Sequence, residues 1–166
     1  MSDSYETLFL KKIIQDLKKG KKRESFAELK KFIALNPKHS IANYNLGLMA
    51  QTLNLTEEAK KFYKKAIKIN KKNWQAQFNL YILYIKEKKY DLALSLINKV
   101  LDLKKNYQPA LRDKALVLNY LNKPDKALKY AQTSINLNQI DYIGINILGL
   151  IYLNMKLYDK AIPIFE

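Results

Sequence analysis

The sequence predicts an all-α protein, an α-solenoid of antiparallel helix pairs, from three observations. The first is self-similarity at a fixed offset of 34 residues. Asn45-Leu46-Gly47, with Ala59 and Tyr63 after it, returns as Asn79-Leu80-Tyr81 with Ala93 and Ile97. It returns again as Asp113-Lys114-Ala115 with Ala127 and Ala131, and as Ile147-Leu148-Gly149 with Ala161 and Phe165. The second is spacing: within each copy apolar residues recur three and four apart, the period of one helix face. The third is a scarcity of breakers, with only 4 Gly and 4 Pro in 166 residues, as helices joined by short turns require. A periodic chain grows by adding units that bury their faces on neighbours, so its length says little about core size.

The period divides the chain into five copies. Residues 6–39 form an atypical first copy, in which Gly20 falls at the turn between paired helices and Ser25 takes a small-residue column. Leu29, Phe32, Ile33 and Leu35 give it an apolar face that ends at Asn36-Pro37. Lys12 and Asp16 occupy columns that are apolar elsewhere, which suits an N-terminal cap with one face in water. Residues 40–73 are the cleanest copy. Ala42, Leu46, Gly47 and Ala50 make the inward stripe of a first helix that should break near Leu53-Asn54, and Ala59, Tyr63, Ala66 and Ile67 make that of the second. Residues 74–107 repeat the pattern with Ala76, Leu80, Tyr84, Ala93, Ile97, Val100 and Leu101. Tyr81 departs from it, standing where a small residue lets two helices cross closely, so either the crossing widens or the ring lies flat along it. Trp74 opens that copy as a lid over the seam between repeats. Residues 108–141 supply Ala110, Leu111, Ala115, Leu118, Ala127, Ala131 and Ile135, with Pro109 in a first helical turn and Pro124-Asp125 leading into the next helix. Asn36, Asn70 and Asn138 recur where second helices end, a place where Asn can adopt the left-handed conformation. Residues 142–166 begin a fifth copy with Gly144, Leu148, Gly149, Tyr152, Ala161 and Phe165. They leave Ile162, Ile164 and Phe165 without a following repeat to cover them, so the chain is expected to be a piece of a longer protein.

Leu-Gly, an aromatic nearby, then Ala and a large apolar residue four beyond it, at a 34-residue period, resembles the tetratricopeptide repeat. The resemblance implies a right-handed superhelix whose second helices form the convex outside and whose first helices line a concave groove. Lys60, Lys61, Lys64, Lys65 and Lys68 then fall on the outside, most simply as a solvated face. The groove, where such proteins bind an extended peptide or a helix, would show Tyr44, Asn45, Leu48 and Gln51, then Phe78, Asn79, Ile82 and Lys86. Arg112, Asp113, Leu116, Asn119 and Tyr120 continue it, followed by Asn146, Leu150 and Asn154. Asn45, Asn79 and the related Asp113 resemble the asparagine ladder in the O-GlcNAc transferases, which holds peptides by their main chain. Side-chain amides both donate and accept, so such a ladder can pair with any peptide backbone. The co-chaperones that clamp a C-terminal carboxylate match poorly. Their places hold Tyr44, Leu48, Asn79, Pro109 and Asp113 in one frame, and Leu10, Ile14, Asn45, Gln75 and Asn79 in the other, so only the Asn survives.

Other function classes find little purchase. The chain has no Cys and one His, His39 in a loop between repeats, so neither a metal pair, a thiolate nor a His-based triad can be assembled within it. Its glycines form no phosphate loop, and Glu57-Glu58 lies at a helix start, where acids favour the dipole. No cofactor and no catalytic residue is expected. The opening Met1-Ser2-Asp3-Ser4-Tyr5-Glu6 is acidic and runs into Leu8-Phe9-Leu10, unlike a secretory signal, and no run is long enough to span a membrane. The cytosol is the default compartment. The formal charge of +15 leans toward the N-terminus, with 17 Lys+Arg against 7 Asp+Glu in residues 1–72 and 13 against 8 in residues 73–166. A Lys-, Asn-, Ile- and Tyr-rich composition suits an AT-rich genome whatever the function, and the run Lys18-Lys19-Gly20-Lys21-Lys22-Arg23 suits a solvated turn. Nucleic acid is disfavoured as a partner. The expected function is a non-catalytic scaffold for protein partners, with two alternatives. One is the N-terminal recruiting arm of a larger enzyme such as a glycosyltransferase or sulfotransferase; the other is a basic adaptor for RNA or an acidic partner.

Overall fold

The computed structural model describes residues 5–166 and is entirely helical over them. The helices are α1 (Tyr5–Lys18), α2 (Lys22–Leu35), α3 (Ser40–Thr52), α4 (Thr56–Ile69), α5 (Trp74–Lys86), α6 (Tyr90–Leu103), α7 (Gln108–Tyr120), α8 (Pro124–Leu137), α9 (Tyr142–Asn154) and α10 (Tyr158–Phe165). Met1–Ser4 and the side chains of Tyr5, Glu6, Leu10, Ile14 and Lys18, all of which entered the sequence reading, lie outside the described residues. Even-numbered helices start at residues 22, 56, 90, 124 and 158, and α3, α5, α7 and α9 start at 40, 74, 108 and 142. Each helix packs antiparallel on its pair-mate across a short turn. The chain forms two compact units, residues 1–76 and 77–166.

The turn inside each pair is built the same way every time. Gly20, Asn54, Lys88, Asn122 and Lys156 adopt φ of 82°, 60°, 57°, 55° and 60°. After α3, the Asn54 amide donates to Gln51 O (3.1 Å) and the Leu55 amide to Ala50 O (2.8 Å). The same two bonds recur as Lys88 to Ile85 and Lys89 to Tyr84, Asn122 to Asn119 and Lys123 to Leu118, and Lys156 to Leu153 and Leu157 to Tyr152. This is the Schellman closure, in which one left-handed residue satisfies two orphan carbonyls and reverses the chain. The expectation for Asn36, Asn70 and Asn138 is corrected, because their φ values of −124°, −130° and −149° are not left-handed. They act through their side chains instead. Asn70 Oδ1 accepts from the Lys72 amide (2.9 Å), Asn138 Oδ1 from the Ile140 amide (3.3 Å), and Asn36 Nδ2 donates to Phe32 O (3.1 Å).

In the first unit α3 and α4 cross at Gly47, which faces the Tyr63 ring so closely that a Cβ there would overlap it. Ala42, Leu46, Met49, Ala50, Ala59, Tyr63 and Ala66 are buried around this crossing. Phe26 meets Phe62 edge-on at 6.3 Å and Phe9 stacks on Phe32 at 4.7 Å. His39 caps α3, its Nδ1 accepting from the Ala42 amide (3.1 Å). Ser40 Oγ donates to Ala66 O (3.0 Å) and accepts from Asn73 Nδ2 (3.1 Å), and Asn73 Oδ1 in turn accepts from the Ala76 amide at the start of α5. Two expectations fail here. Leu35 is 84% exposed, because it lies about half a turn around α2 from Phe26 and Ile33. Lys60 is not outward: its stem is buried beside Ala59, and its Nζ reaches the exposed Glu57 carboxylate at 2.6 Å.

In the second unit Ala115, Leu118, Ala127, Ala131, Ile147 and Ile151 form one core cluster joining α7, α8 and α9. Tyr81 is fully buried, and its hydroxyl donates to Asp113 on α7 (3.1 Å). At Gly149 a Cβ would crowd Phe165 and Ile164 as one at Gly47 would crowd Tyr63.

Two stability outcomes are expected. Lys88 and Lys156 hold a conformation that costs a residue with a Cβ, so Lys88→Gly or Lys156→Gly should raise urea stability by about 0.5–1 kcal/mol. Gly47→Ala should lower it by about 1–3 kcal/mol, and adding Tyr63→Leu, which removes the ring in the way, should recover part of the loss. An additive double variant would show that the crossing is not the cause.

Candidate functional site

Each first helix buries one stripe and leaves other residues part-exposed, and the residues singled out by sequence differ in how far they are engaged within the fold. On α3 these are Tyr44, Asn45, Leu48 and Gln51, all half-buried. Gln51 is partly engaged, its Oε1 accepting from the Tyr63 hydroxyl (2.9 Å), and the Tyr44 ring lies 6.1 Å from that of Tyr63. Burial and then the neighbouring Tyr44 push the Tyr63 phenol well above its ordinary range, so it remains a donor.

On α5 of the second unit Phe78 is held between Tyr81 (5.0 Å) and Tyr107 (5.4 Å), both edge-to-face, while Asn79 and Ile82 are half-buried and Lys86 is exposed. Next along the unit, Arg112 and Asp113 are locked into a polar cluster. Arg112 Nε donates to Asp113 Oδ1 (3.2 Å), its Nη1 to Asp141 (3.4 Å), and Tyr81 OH to Asp113 Oδ2 (3.1 Å). Gln108 Nε2 bridges Asp141 (2.5 Å) and Ser134 (2.9 Å). Burial raises the Asp113 pKa despite the opposing Arg112 charge and hydrogen bonds. For Asp141 burial is outweighed by the Gln108 hydrogen bond and the Arg112 charge, and its pKa is lowered. Burial also works against the Arg112 cation, but Asp113 and Asp141 outweigh it and the proton is held more tightly. Both Asp113 oxygens thus have partners within the fold, and the carboxylate is a brace between α5 and α7.

The remaining residues separate in the same way. Leu116 packs one side on the core cluster and is half-exposed on the other. Asn119 Oδ1 accepts from Asn154 Nδ2 (2.9 Å), an amide pair that joins α7 to α9. Tyr120 is exposed and stacks on Tyr90 at 4.7 Å, at the α5/α6 turn rather than along the open stripe. Asn146 and Leu150 are exposed on α9. Sequence columns missed Ile143 and Leu153, 58% and 41% exposed, which with Asn146, Leu150 and Asn154 fall on one face of α9 at helical spacing. The signal was present in that spacing. Leu153 shares the column of Gln51 and Asn119, and Ile143 that of Ile41, so the 34-residue period also pointed to both.

Among the described residues no group of His, Cys, Asp or Glu is placed to hold a metal ion, and no helix is long and apolar enough to cross a membrane.

Lowered in the fold, the Asp141 pKa makes its contribution complete above the unfolded carboxylate value and lost as pH falls through the folded one. Asp113, raised, has the opposite sign: its burial penalty is relieved as pH falls. Asp141→Asn should therefore cost roughly 1–3 kcal/mol at neutral pH, and wild type and variant should converge in urea midpoint as pH drops below the ordinary carboxylate range. A constant gap across that range would assign the loss to packing instead.

The sequence profile described as Tetratricopeptide repeat matches residues 41–73 and 145–166. No curated protein sequence matches the chain. Among solved structures, MamA 41-end from Desulfovibrio magneticus superposes with a TM-score of 0.88 at 18% identity, over 99% of this chain and 93% of that one. A tetratricopeptide repeat protein from Parabacteroides merdae gives 0.85 at 21% identity, over 95% of this chain and 62% of that one. YrrB, titled a TPR protein with an unusual peptide-binding site, gives 0.71 at 25% identity, over 82% and 71%. With the helix pairs, the left-handed turns and the Gly47 and Gly149 crossings in place, the chain has the tetratricopeptide-repeat fold, and its stretches 41–73 and 145–166 carry that repeat's sequence pattern.

Proposed function

We propose that this chain is a non-catalytic scaffold that binds a peptide segment of a partner protein along the open stripes of its first helices. The observation that carries this reading is the α9 face. Ile143, Leu150 and Leu153 stand exposed beside Asn146 and Asn154, and Leu116 and Asn119 on α7 extend the same mixture of aliphatics and amides. Exposed aliphatics grouped on one face are what a binding surface supplies, whereas scattered ones need no explanation. Burying them would yield roughly 25 cal/mol per Å², from which ordering of the peptide must be subtracted. The amides can pair with a backbone whatever its side chains, since each both donates and accepts. Asp113 leaves the ladder, since its acceptors are used inside the fold. YrrB, similar over most of this chain and described by its peptide-binding site, supports the same reading by analogy.

Peptides selected from a random display library on the full chain should bind measurably by calorimetry. Leu150→Ser with Asn154→Ala, and separately Asn45→Ala with Asn79→Ala, should each weaken them by about tenfold with helicity unchanged. Unchanged affinity in both double variants would remove the open stripe as the site.

A further inference from the structure

Between α2 and α4 of the first unit lies a cavity of about 460 Å³ lined by Lys30, Ile33, Ala34, Glu58, Lys61, Phe62 and Lys65. It opens on the second helices, away from the open stripe of α3. Its apolar lining is the exposed Ala34 methyl with the largely buried Ile33 and Phe62 beside it. The rim is cationic. Lys30 Nζ pairs with Glu58 (3.2 Å) and lies 5.1 Å from the centre of the Phe26 ring, which fixes that lysine at the edge and neutralises the one acid. Lys61 and Lys65 have no acidic partner among the described residues, and they sit four apart on one face of α4. Like charges at that spacing repel and weaken an isolated helix. The arrangement therefore retains a small cost that a bound anion would relieve.

We propose that this cavity is a docking site for an acidic, amphipathic peptide segment of a partner protein, distinct from the open stripe of the first helices. An apolar side chain of the partner would rest on Ile33, Ala34 and Phe62, and carboxylates flanking it would meet Lys61 and Lys65. The volume lies within the ~300–1,000 Å³ usual for ligand pockets, room for an anchor side chain and its neighbours. Nucleic acid fits less well. The rim has no arginine to grip phosphate in two-point fashion. The surplus of cations in this half of the chain would draw an acidic partner in before contact is made.

The test uses the full chain and three fluorescein-labelled probes: a peptide of about 12 residues with Asp and Glu flanking a central Leu-Phe, its Asn/Gln counterpart, and an oligouridine of like length. The acidic peptide should bind by anisotropy at about 50 mM salt and weaken as salt rises to about 300 mM, and the amide peptide should not bind. Lys61→Glu with Lys65→Glu should weaken it roughly tenfold or more, whereas Lys19→Glu with Lys21→Glu, the same change of charge at another place in the unit, should cost less than about threefold. Ala34→Gln fills the cavity without altering charge on an exposed, helix-tolerant position, and should also weaken binding. Equal losses from the two charge reversals would overturn the proposal in favour of a general basic field. So would failure of the acidic peptide to bind wild type, or tighter binding of the oligouridine with the same Lys61 and Lys65 dependence.

Discussion

Within each pair the chain reverses through one residue with positive φ, and two backbone hydrogen bonds close over it. The rest of the structure depends on that turn, because a helix rotates its side chains by about 100° per residue. If a turn were one residue shorter, Ala59 and Tyr63 would leave the α3 interface and Lys60 and Lys64 would take their place. The fixed turn therefore sets which stripe of each second helix is core, and by subtraction which stripe of each first helix stays open. Nature's substitutions at the turn are informative: Gly20, Asn54 and Asn122 are residues that tolerate left-handed backbone, whereas Lys88 and Lys156 are not. The bonds closing over Lys88 and Lys156 are as short as those over Asn54, so the closure persists where local preference opposes it.

Much of the fold was legible because it rests on backbone turns and apolar columns, both of which have a period. Ala42, Leu46, Gly47 and Ala50 are buried as their spacing requires, and so are Ala76, Leu80, Tyr81 and Tyr84 in α5 and Ala110, Ala115 and Leu118 in α7, where Lys114 takes the place of the leucine and is half-buried. Size is also compensated between facing columns. Gly47 faces Tyr63, Gly149 faces Phe165, and Ala115 shares a core with Ala131. Tyr81 was read as a fault in that scheme because the column shows only volume. Its hydroxyl has a partner 32 residues further on, and a buried phenol with an acceptor is stable where an unpaired one would be costly. Leu35 and Lys60 failed for a plainer reason: residues at the margin of a stripe are decided by a few tens of degrees of helix rotation, finer than spacing can resolve.

The candidate site was legible by column and not by contact. Asn45, Asn79 and Asp113 are equivalent in the repeat, yet Asp113 is clamped by Tyr81 and Arg112, two residues peculiar to their own copies. Asn119 and Asn154 find each other although they stand 35 residues apart, one step off the period. The cavity rimmed by Lys30, Lys61 and Lys65 was hidden for the opposite reason. A run of exposed lysines on one helix looks uniform in sequence, and only the neighbour across the groove decides which of them acquires an acid. Lys60 acquires Glu57 and Lys30 acquires Glu58, so the unpaired charge is left on Lys61 and Lys65.

Columns along the first helices also differ in how much they vary, and this bears on what a bound peptide could read. The column of Leu48, Ile82, Leu116 and Leu150 is aliphatic in every copy, while the one beside it runs Tyr44, Phe78, Arg112 and Asn146. A uniform aliphatic column buries any apolar side chain presented at the repeat spacing, so by itself it would let a peptide slip by one copy at little cost. The varied column removes that freedom, because a shift would bring an aromatic contact opposite a guanidinium or an amide. Affinity and register would then come from different residues, with the discrimination carried by mismatches in the wrong register as much as by matches in the right one. Internal bracing sharpens the contrast further. Arg112 is held by Asp113 and Asp141, so on the proposed reading it would present a fixed, partly neutralised group that does not swing to accommodate a shifted peptide.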